Sequence, residues 1–218
     1  MIQKINENNY LNYQNQLKEV VKLSEKPTLL LHICCAPCSS GCIEKLVNYF
    51  NVKAFFYNPN ISLVDEYEKR KNELKRFIKE NDNLNNVEII DCDYENDRYL
   101  ESIKGLEKEK EGGKRCEKCF NLRLEKTAKV CKEKGYDYFA TTLTISPLKD
   151  EKLLNSIGYS LSIKYDVNYL FSNFKKDNGY KLSLENSKKY HLYRQDYCGC
   201  IYSKLERELV KKLKENNN

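Results

Sequence analysis

The sequence predicts an α/β fold in which helices flank a mostly parallel β-sheet. Short apolar segments alternate along the chain with longer segments of helical periodicity, which is the pattern of such folds. The first apolar segment is continuous rather than alternating, as in a strand that is buried on both faces. The chain has 218 residues, of which 40% are hydrophobic and 32% charged, and this suits one large domain with a solvated surface. We therefore expect residues 1–218 to form a single domain.

The first half of the chain contains three predicted strands. Pro37 ends the first strand, and the turn Asn58-Pro59-Asn60 ends the second. The helix that follows this turn has one apolar face, formed by Tyr67, Leu74, Phe77 and Ile78. The predicted elements are a helical N-terminal extension at 1–26, strands at 28–33, 52–57 and 87–90, and helices at about 38–50, 64–80 and 94–104.

The second half of the chain continues the alternation. Ser146-Pro147 supplies an N-cap and a first helical position, so the next helix is expected to begin at about residue 148. The predicted elements are helices at 114–134, about 148–162 and about 202–215, and strands at 138–142 and 165–170. The rest of residues 171–218 is polar and irregular, and we expect this cysteine-containing C-terminal segment to complete the functional site.

The ten cysteines of the chain are best understood from its expected compartment. No apolar run approaches the roughly 20 residues that span a bilayer, and the N-terminus has no hydrophobic signal region. Both observations indicate a cytoplasmic protein without a membrane partner. Because the cytoplasm is reducing, the cysteines are not expected to form a disulfide framework. Metal binding, cluster binding or redox catalysis is the better interpretation.

Two cysteine pairs predict a metal centre. Cys34 and Cys35 follow the first strand directly, and ligands bind at the carboxyl ends of parallel strands. Cys116 and Cys119 begin a helix, where the positive end of the helix dipole favours thiolates. Four such sulfurs can hold either an iron–sulfur cluster or a zinc ion. The cluster is the preferred alternative, since adjacent cysteines are awkward ligands for one tetrahedral ion.

The other cysteines divide into three kinds. Cys198 and Cys200 form a C-x-C pair, whose disulfide would be strained and therefore redox-active, although metal binding by both thiols is an alternative. Cys38 lies close enough to the first pair to be a ligand or a proton donor. The remaining cysteines are predicted to be small buried residues, and His32 a hydrogen-bonded core residue. Those cysteines are Cys42, Cys92 and Cys131.

Six segments of the sequence resemble the cobalamin-independent epoxyqueuosine reductases, the QueH family. They are LHICCAPCSSG at 31–41, FYNPNI at 56–61, EYEKR at 66–70, RCEKCFNLRLEKTA at 115–128, FATTLTISPLKD at 139–150 and LYRQDYCGCIYS at 192–203. The resemblance implies a Rossmann-like fold of the adenine-nucleotide-hydrolase-like kind. It also implies the last step of queuosine biosynthesis, in which the epoxide of epoxyqueuosine in the tRNA wobble position is reduced to the alkene.

The same resemblance implies a cofactor and roles for individual residues. A [4Fe-4S] cluster would be held by Cys34, Cys35, Cys116 and Cys119. Cys198 and Cys200 would be the redox-active pair. Cys38 stands beside the cluster ligands and is a candidate ligand for a second iron. Neither cobalamin nor ATP is implied, and no phosphate-binding loop of the G-x-x-x-x-G-K-[ST] or G-x-G-x-x-G type is present.

The implied partners are a tRNA that carries epoxyqueuosine and an unidentified electron donor. The net charge of +6 is compatible with a polyanion. Bases of a single-stranded anticodon loop are held by aromatic and cationic side chains. The candidates for this role are Tyr57, Tyr193, Arg123, Arg194 and Lys149.

Two other functions are consistent with cysteine pairs in an α/β domain. An iron–sulfur tRNA thiolase-like enzyme would require a pyrophosphate loop of the S-G-G-x-D-S type after the first strand. The sequence CCAPCSSG occupies that position and cannot form such a loop. The second alternative is a zinc-stabilised RNA-binding module without catalytic activity, which metal content distinguishes from an iron–sulfur enzyme.

Overall fold

A wholly parallel five-stranded sheet forms the centre of the computed structural model, which describes residues 6–215. The strands are β1 (Thr28–His32), β2 (Asn51–Phe55), β3 (Glu88–Ile90), β4 (Tyr138–Thr141) and β5 (Asn168–Tyr169). Their spatial order is β3-β2-β1-β4-β5, so β1 is the central strand. In the register of the sheet, Leu31 pairs with Ala54 on one side and with Ala140 on the other. The predicted α/β class and parallel sheet are confirmed.

Helices cover both faces of this sheet. They are α1 (Asn9–Val20), α2 (Ala36–Leu46), α3 (Val64–Glu80), α4 (Asn96–Ser102), α5 (Lys114–Lys134), α6 (Glu151–Tyr165), α7 (Gly179–Lys189) and α8 (Ile201–Glu215). Short 3₁₀ turns lie at Asp82–Leu84 and Thr142–Ile145. None of the helices within residues 6–215 combines the length and the apolar composition needed to cross a bilayer.

Alternate residues of β1 enter different cores, which explains its continuous apolar sequence. Leu29 and Leu31 pack in the core beneath α2 and α3. Leu30 points to the opposite face and packs with Leu124 and Phe139 in the core beneath α5 and α6. A strand with both faces buried has no solvent-exposed position at which a polar residue would be favoured.

The topology places the end of β1 where a ligand is expected. The chain moves outward from β1 to β2 and β3, and then returns to the other side of β1 to form β4 and β5. Helices that follow strands on the two sides of such a point diverge and leave a crevice at the carboxyl ends of the strands. Cys34 and Cys35 follow β1 directly and therefore lie at this crevice.

Three helix starts differ from the sequence-based expectation by two or more residues, including that of α4, which begins at Asn96 rather than 94. The helix after β4 begins at Glu151, because Asp150 and not Ser146 is its N-cap: the Asp150 carboxylate accepts hydrogen bonds from the backbone N–H groups of Lys152 (2.9 Å) and Leu153 (3.1 Å). The helix after β1 begins at Ala36 rather than 38, since Pro37 fits within its first turn.

The C-terminal segment contains a helix, α7, that the sequence did not predict. Its buried residues are small or polar rather than apolar, so hydrophobic periodicity could not reveal it. The helix packs closely on α2, where Asn186 donates to the Ser40 carbonyl oxygen (3.0 Å) and to the Glu44 carboxylate (3.0 Å). The absence of a side chain at Gly41 permits the approach, because a Cβ atom there would collide with the Gly179 carbonyl oxygen.

We expect the substitution Gly41→Ala to destabilise the protein. The added methyl group would force α2 away from α7, and overpacking of this kind costs about 1–3 kcal/mol. Urea unfolding followed by circular dichroism measures the change. Ser160→Ala, on the exposed face of α6, is the control and should change stability by less than about 0.5 kcal/mol. Equal stability of the Gly41→Ala variant and the wild type would contradict the tight packing.

Candidate active site

Three thiols converge where β1 passes into α2. The Sγ atoms of Cys34, Cys35 and Cys38 all lie within 4.8 Å of one another, and those of Cys34 and Cys35 are 3.9 Å apart. The extended backbone at Cys35, which is the N-cap of α2, brings its side chain close to that of Cys34, and Cys38 follows one turn later. We refer to these residues as the thiol triad. Three sulfurs at this spacing could hold a metal ion.

The pKa values of the three thiols in the triad are shifted in opposite directions. Hydrogen bonds from the Cys35 and Cys38 thiols hold the pKa of Cys34 well below its usual range. The same hydrogen bond to Cys34 raises the pKa of Cys35 to about 12, and bonds to both neighbours raise the pKa of Cys38 well above its ordinary value. The Thr142 hydroxyl also donates to Cys34 Sγ at 3.6 Å. Of the three thiols, Cys34 is therefore the one whose ionised form its neighbours favour.

The thiol triad opens into a cavity of about 340 Å³. The other walls come from the turn at 146–149, the N-terminal part of α7, the segment at 194–198 and α8. Cys198 is part of this lining, whereas Cys116, Cys119 and Cys200 are not among the described residues that form it. The cavity thus brings one member of the C-terminal C-x-C pair to the same space as the triad.

Lys149 is the cation of the cavity wall beside the thiols. Burial by itself would lower the pKa of Lys149, but the charges of Cys198, Cys34 and Cys38 outweigh burial and raise that pKa above its ordinary value. The ammonium group therefore remains protonated next to the sulfurs. It can donate hydrogen bonds to an oxygen atom that enters the cavity.

A buried guanidinium lies behind the thiols. Arg123, on α5, is 1% exposed and donates from Nη2 to the Asn58 side-chain oxygen, and its Nη1 has no hydrogen-bond partner among the described residues. Burial would lower the pKa of Arg123, but the neighbouring sulfurs of Cys119, Cys198 and Cys34 raise it. The charge of Arg123 is therefore coupled to sulfurs of the thiol triad, of α5 and of the C-terminal segment.

His32 completes this buried group. Its Nδ1 lies 2.9 Å from the Thr141 hydroxyl oxygen and its Nε2 lies 3.0 Å from the Tyr57 carbonyl oxygen, while Arg123 Nε is 3.3 Å from Nε2. Burial, followed by the charge of Arg123, lowers the pKa of His32 to about 3. The ring is consequently neutral, and the prediction of a hydrogen-bonded core histidine is confirmed.

The other site cysteines form a second cluster beside the first. Cys119 and Cys200 are both buried and pack with Tyr99 and Ile103. Cys116 is half-buried, and its sulfur accepts a hydrogen bond from the Gly112 backbone N–H (3.2 Å). Burial raises the pKa of Cys119 to about 12 and also raises the pKa of Cys116. Within the described part of the chain, these thiols do not join the triad as a single group of closely spaced ligands.

Of the three cysteines predicted to be small buried residues, two are fully buried and Cys92 is only half-buried. Each thiol donates to a main-chain carbonyl oxygen at 3.3–3.4 Å, and none of the three lines the cavity among the described residues. Burial raises the pKa of each, which favours the protonated thiol. They are Cys42, Cys92 and Cys131.

The five residues proposed from sequence to contact RNA have different environments. Tyr57 is buried and its hydroxyl donates to Glu95 (2.5 Å), so its ring cannot stack on a base. Arg123 is 1% exposed, although it is part of the cavity lining. The expectation was therefore wrong for Tyr57, whereas a contact of Arg123 with RNA stays a prediction. Lys149 and Tyr193 are half-buried, and Arg194 is exposed at the cavity.

Comparison with known proteins identifies the family. The family model described as "Epoxyqueuosine reductase QueH" matches residues 29–206. The chain belongs to this family. A Streptococcus pyogenes protein named epoxyqueuosine reductase QueH is 41% identical over 205 residues, which cover 91% of this chain and 80% of the relative. The proteins of the same name from Staphylococcus epidermidis and Thermotoga maritima are 39% and 38% identical, and cover 91% and 83% of this chain and 87% and 92% of themselves. The QueH resemblance predicted from sequence is thus confirmed, and with it an oxidoreductase of the epoxyqueuosine reductase type.

Sequence reasoning missed the polar residues that support the cysteines. Asn58, Glu66 and Arg70 form contacts around the site, yet the sequence assigned Asn58 only to a turn and gave Glu66 and Arg70 no role beyond their motif. Their contacts join segments that are far apart in the chain, so no local pattern could assign them. The one available signal was that the motifs FYNPNI and EYEKR contain charged and amide residues with no evident role in a core.

We expect His32 to make stability depend on pH. Unfolding returns the pKa of His32 from about 3 to its ordinary value. Below that ordinary value, the unfolded chain binds a proton at His32 and the folded chain does not. The stability of the folded state therefore falls as the pH drops below the unfolded pKa. Between about pH 7.5 and about pH 5.5, this effect should remove about 1.4 kcal/mol of stability. Urea unfolding of the wild type and of His32→Gln at the two pH values measures it.

The difference between these two proteins isolates the effect of His32. The glutamine can still form hydrogen bonds but does not titrate, so its stability should depend less on pH by that amount. His191→Gln removes an exposed histidine and is the matched control, which should behave like the wild type. A wild-type pH dependence in the His32→Gln variant would show that another group is responsible.

Proposed function

We propose that this chain reduces the epoxide of epoxyqueuosine, at the wobble position of a tRNA anticodon, to the alkene of queuosine. The observation that supports this most directly is that Cys198, from the C-x-C pair, lines the same cavity as the thiol triad. A redox-capable thiol and a metal-capable group therefore face one space. Membership of the QueH family supports the same reaction.

The reaction balances with the groups of the site. In the substrate, the two C–O bonds of the epoxide break, a C=C bond forms, and the oxygen leaves as water; this requires two electrons and two protons. The Cys198 and Cys200 thiols can supply both, because two S–H bonds break as one S–S bond forms. A separate electron donor, which we propose as a partner, then returns the disulfide to the dithiol.

We further propose that Cys34, Cys35, Cys116 and Cys119 hold a [4Fe-4S] cluster. The unpartnered, fully buried Nη1 of Arg123 supports this, because a buried cation is costly without an anionic neighbour. One sulfur from each pair, that of Cys34 and that of Cys119, raises the pKa of that guanidinium through its charge. The cluster would supply single-electron transfer and Lewis acidity next to the cavity. Cys38, the third member of the triad, is the candidate ligand for a second iron.

The chain's own residues bind and orient the substrate in this proposal. Lys149 donates a hydrogen bond to the oxygen that leaves, and Arg123 offsets negative charge at the sulfurs. Arg194 and Tyr193 are the candidates for contacts with the anticodon loop, since Arg194 is exposed at the cavity. The segment 171–218 completes the site because it contributes Cys198, α7 and α8 to the cavity wall.

The cluster proposal predicts the metal content. Anaerobically purified protein should contain about four iron and four sulfide per chain, and Cys116→Ala or Cys119→Ala should remove most of the iron, because each loses a ligand. Cys131→Ala, a structural cysteine on the same helix, is the matched control and should keep it. Full iron retention in both ligand variants would refute the ligand assignment. One zinc per chain without sulfide would favour the RNA-binding module.

The redox-pair proposal predicts a different result for the C-x-C cysteines. Cys198→Ser and Cys200→Ser should keep the iron but lose turnover, because serine preserves the size of the side chain and cannot form the disulfide. The assay is anaerobic incubation with epoxyqueuosine-containing tRNA and a chemical reductant, followed by mass analysis of the nucleosides. Loss of iron from either variant would instead make these cysteines metal ligands. A wild-type protein that holds its cluster and produces no queuosine would refute the function.

A further inference from the structure

The first and last residues of the motif EYEKR at 66–70 form an ion pair with each other. This ion pair has no role in the reaction described above. Glu66 and Arg70 lie one turn apart on α3, and Arg70 Nε donates to Glu66 Oε1 at 2.7 Å. Arg70 is 2% exposed. A fully buried guanidinium is costly, so contacts beyond a helical ion pair are expected to explain it.

Arg70 also contacts the backbone of the redox pair. Its Nη1 donates to the Cys198 carbonyl oxygen at 3.1 Å, and its guanidinium lies 5.1 Å from the centre of the Tyr197 ring. The remaining nitrogen, Nη2, is buried and has no hydrogen-bond partner among the described residues. Arg70 therefore joins α3 to the segment that carries Cys198, which is 128 residues away in sequence.

The backbone at Gly199 is fitted to this contact. Its φ angle of +129° is one that residues with a side chain rarely adopt, and a Cβ atom there would lie 3.3 Å from Arg70 Nη1 and 2.9 Å from Ile61 Cγ1. Its carbonyl oxygen accepts from the Ser62 backbone N–H at 3.2 Å, and the Ser62 hydroxyl oxygen accepts from the Ile201 N–H at 3.0 Å. Hydrogen bonds before and after Gly199 therefore fix the backbone of residues 198–200, which we call the C-x-C loop.

The carboxylate of the pair is fixed by a second contact from the C-terminal segment. The Tyr193 hydroxyl lies 3.2 Å and 3.1 Å from the two oxygens of Glu66 and donates to this carboxylate. Lys69 Nζ lies 3.6 Å from the centre of the Tyr193 ring. Glu66 is therefore held by Arg70 and Tyr193 at once, and residues on both sides of the turn at 194–197 are tied to α3.

We propose that Glu66, Arg70 and Tyr193 form a latch that holds the Cys198-Gly199-Cys200 loop in its dithiol conformation, with Cys198 facing the cavity. This inference rests on the proposed redox role of the two cysteines. Cys198 lines the cavity while Cys200 is buried with Cys119, so the thiols face different surroundings in the reduced state. In this proposal, formation of the S–S bond rotates the backbone around Gly199, and the Cys198 carbonyl that Arg70 holds belongs to that backbone.

The latch makes Arg70 a positioning residue whose effect appears in the redox equilibrium. A contact shifts an equilibrium between two states only when its strength differs between them. Because the Arg70 contact is made in the dithiol state, its loss should favour the disulfide. Lysine keeps the positive charge, but it lacks the planar guanidinium that donates to Glu66 and to the Cys198 carbonyl oxygen at the same time.

The test is the redox equilibrium of the anaerobically purified protein with mixtures of reduced and oxidised dithiothreitol. Two protein thiols and oxidised dithiothreitol exchange with the protein disulfide and reduced dithiothreitol, so atoms and electrons balance. Acid quenching, alkylation and mass analysis give the fraction of the Cys198–Cys200 disulfide. We expect Arg70→Lys to raise the ratio of disulfide to dithiol about tenfold, which is about 30 mV for a two-electron couple.

The matched control is Arg98→Lys on α4. Arg98 is exposed and also pairs with a glutamate one turn away, Glu95 (3.5 Å), but it makes no hydrogen bond to the C-x-C loop or to Tyr193 among the described residues. This variant should keep the wild-type ratio. Tyr193→Phe removes only the outer hydrogen bond and should give a smaller shift than Arg70→Lys, and it serves as the second test variant if Arg70→Lys does not fold.

Three outcomes would overturn the latch, and they are distinguishable. If the wild type forms the disulfide and Arg70→Lys and Tyr193→Phe both keep its ratio and its iron content, the latch is wrong and the redox pair stands. If the wild type forms no disulfide in any mixture, the redox role itself fails, and the latch fails with it. An equal shift in Arg98→Lys would show that the effect does not depend on the latch contacts and would also refute the proposal.

Discussion

The buried guanidinium of Arg123 is the charge on which the arrangement of the site depends. It approaches the thiol triad at the end of β1, Cys119 on its own helix and Cys198 from the C-terminal segment. A cation that is removed from water needs anionic or hydrogen-bonding neighbours, and Asn58 and His32 satisfy only part of this requirement. Sulfurs that can become anionic supply negative charge beside it. This explains why a neutral histidine, rather than a charged one, lies behind the guanidinium.

The doubly wound sheet makes this convergence possible. Its central strand ends at the crevice between diverging helices, so residues after β1 and β4 meet there without any need for long loops. The cysteine helix α5 packs on β1 and β4 and brings its first turn towards the same edge. The C-terminal segment then closes the crevice, with α7 packed on α2 and α8 along the cavity. The site is therefore built from four distant parts of the chain.

The supporting contacts distinguish two kinds of motif in this chain. The cysteine motifs supply the sulfurs that we propose to react or to hold metal, whereas the motifs around Asn58 and Arg70 supply polar groups that contact the surroundings of these sulfurs. Asn58 bonds the guanidinium behind the triad, and Arg70 bonds the backbone of the C-x-C loop. Both side chains are buried. An unsatisfied polar group in such a position costs folding free energy, so a substitution that removes a hydrogen-bond partner there destabilises the protein. Such residues act through the cysteines rather than on the substrate.

The sequence by itself determined the sheet class, most strand and helix positions, the cysteines of interest and the family. These follow from local periodicity and from motifs whose chemistry is contained in a few adjacent residues. The helix α7 was not predictable, because its buried face is polar and is defined by its fit to α2. Only the tertiary structure showed that Arg123 faces sulfurs and that Tyr57 is buried. Burial and the partners of a charged side chain depend on segments that meet only when the chain folds, so no local pattern records them.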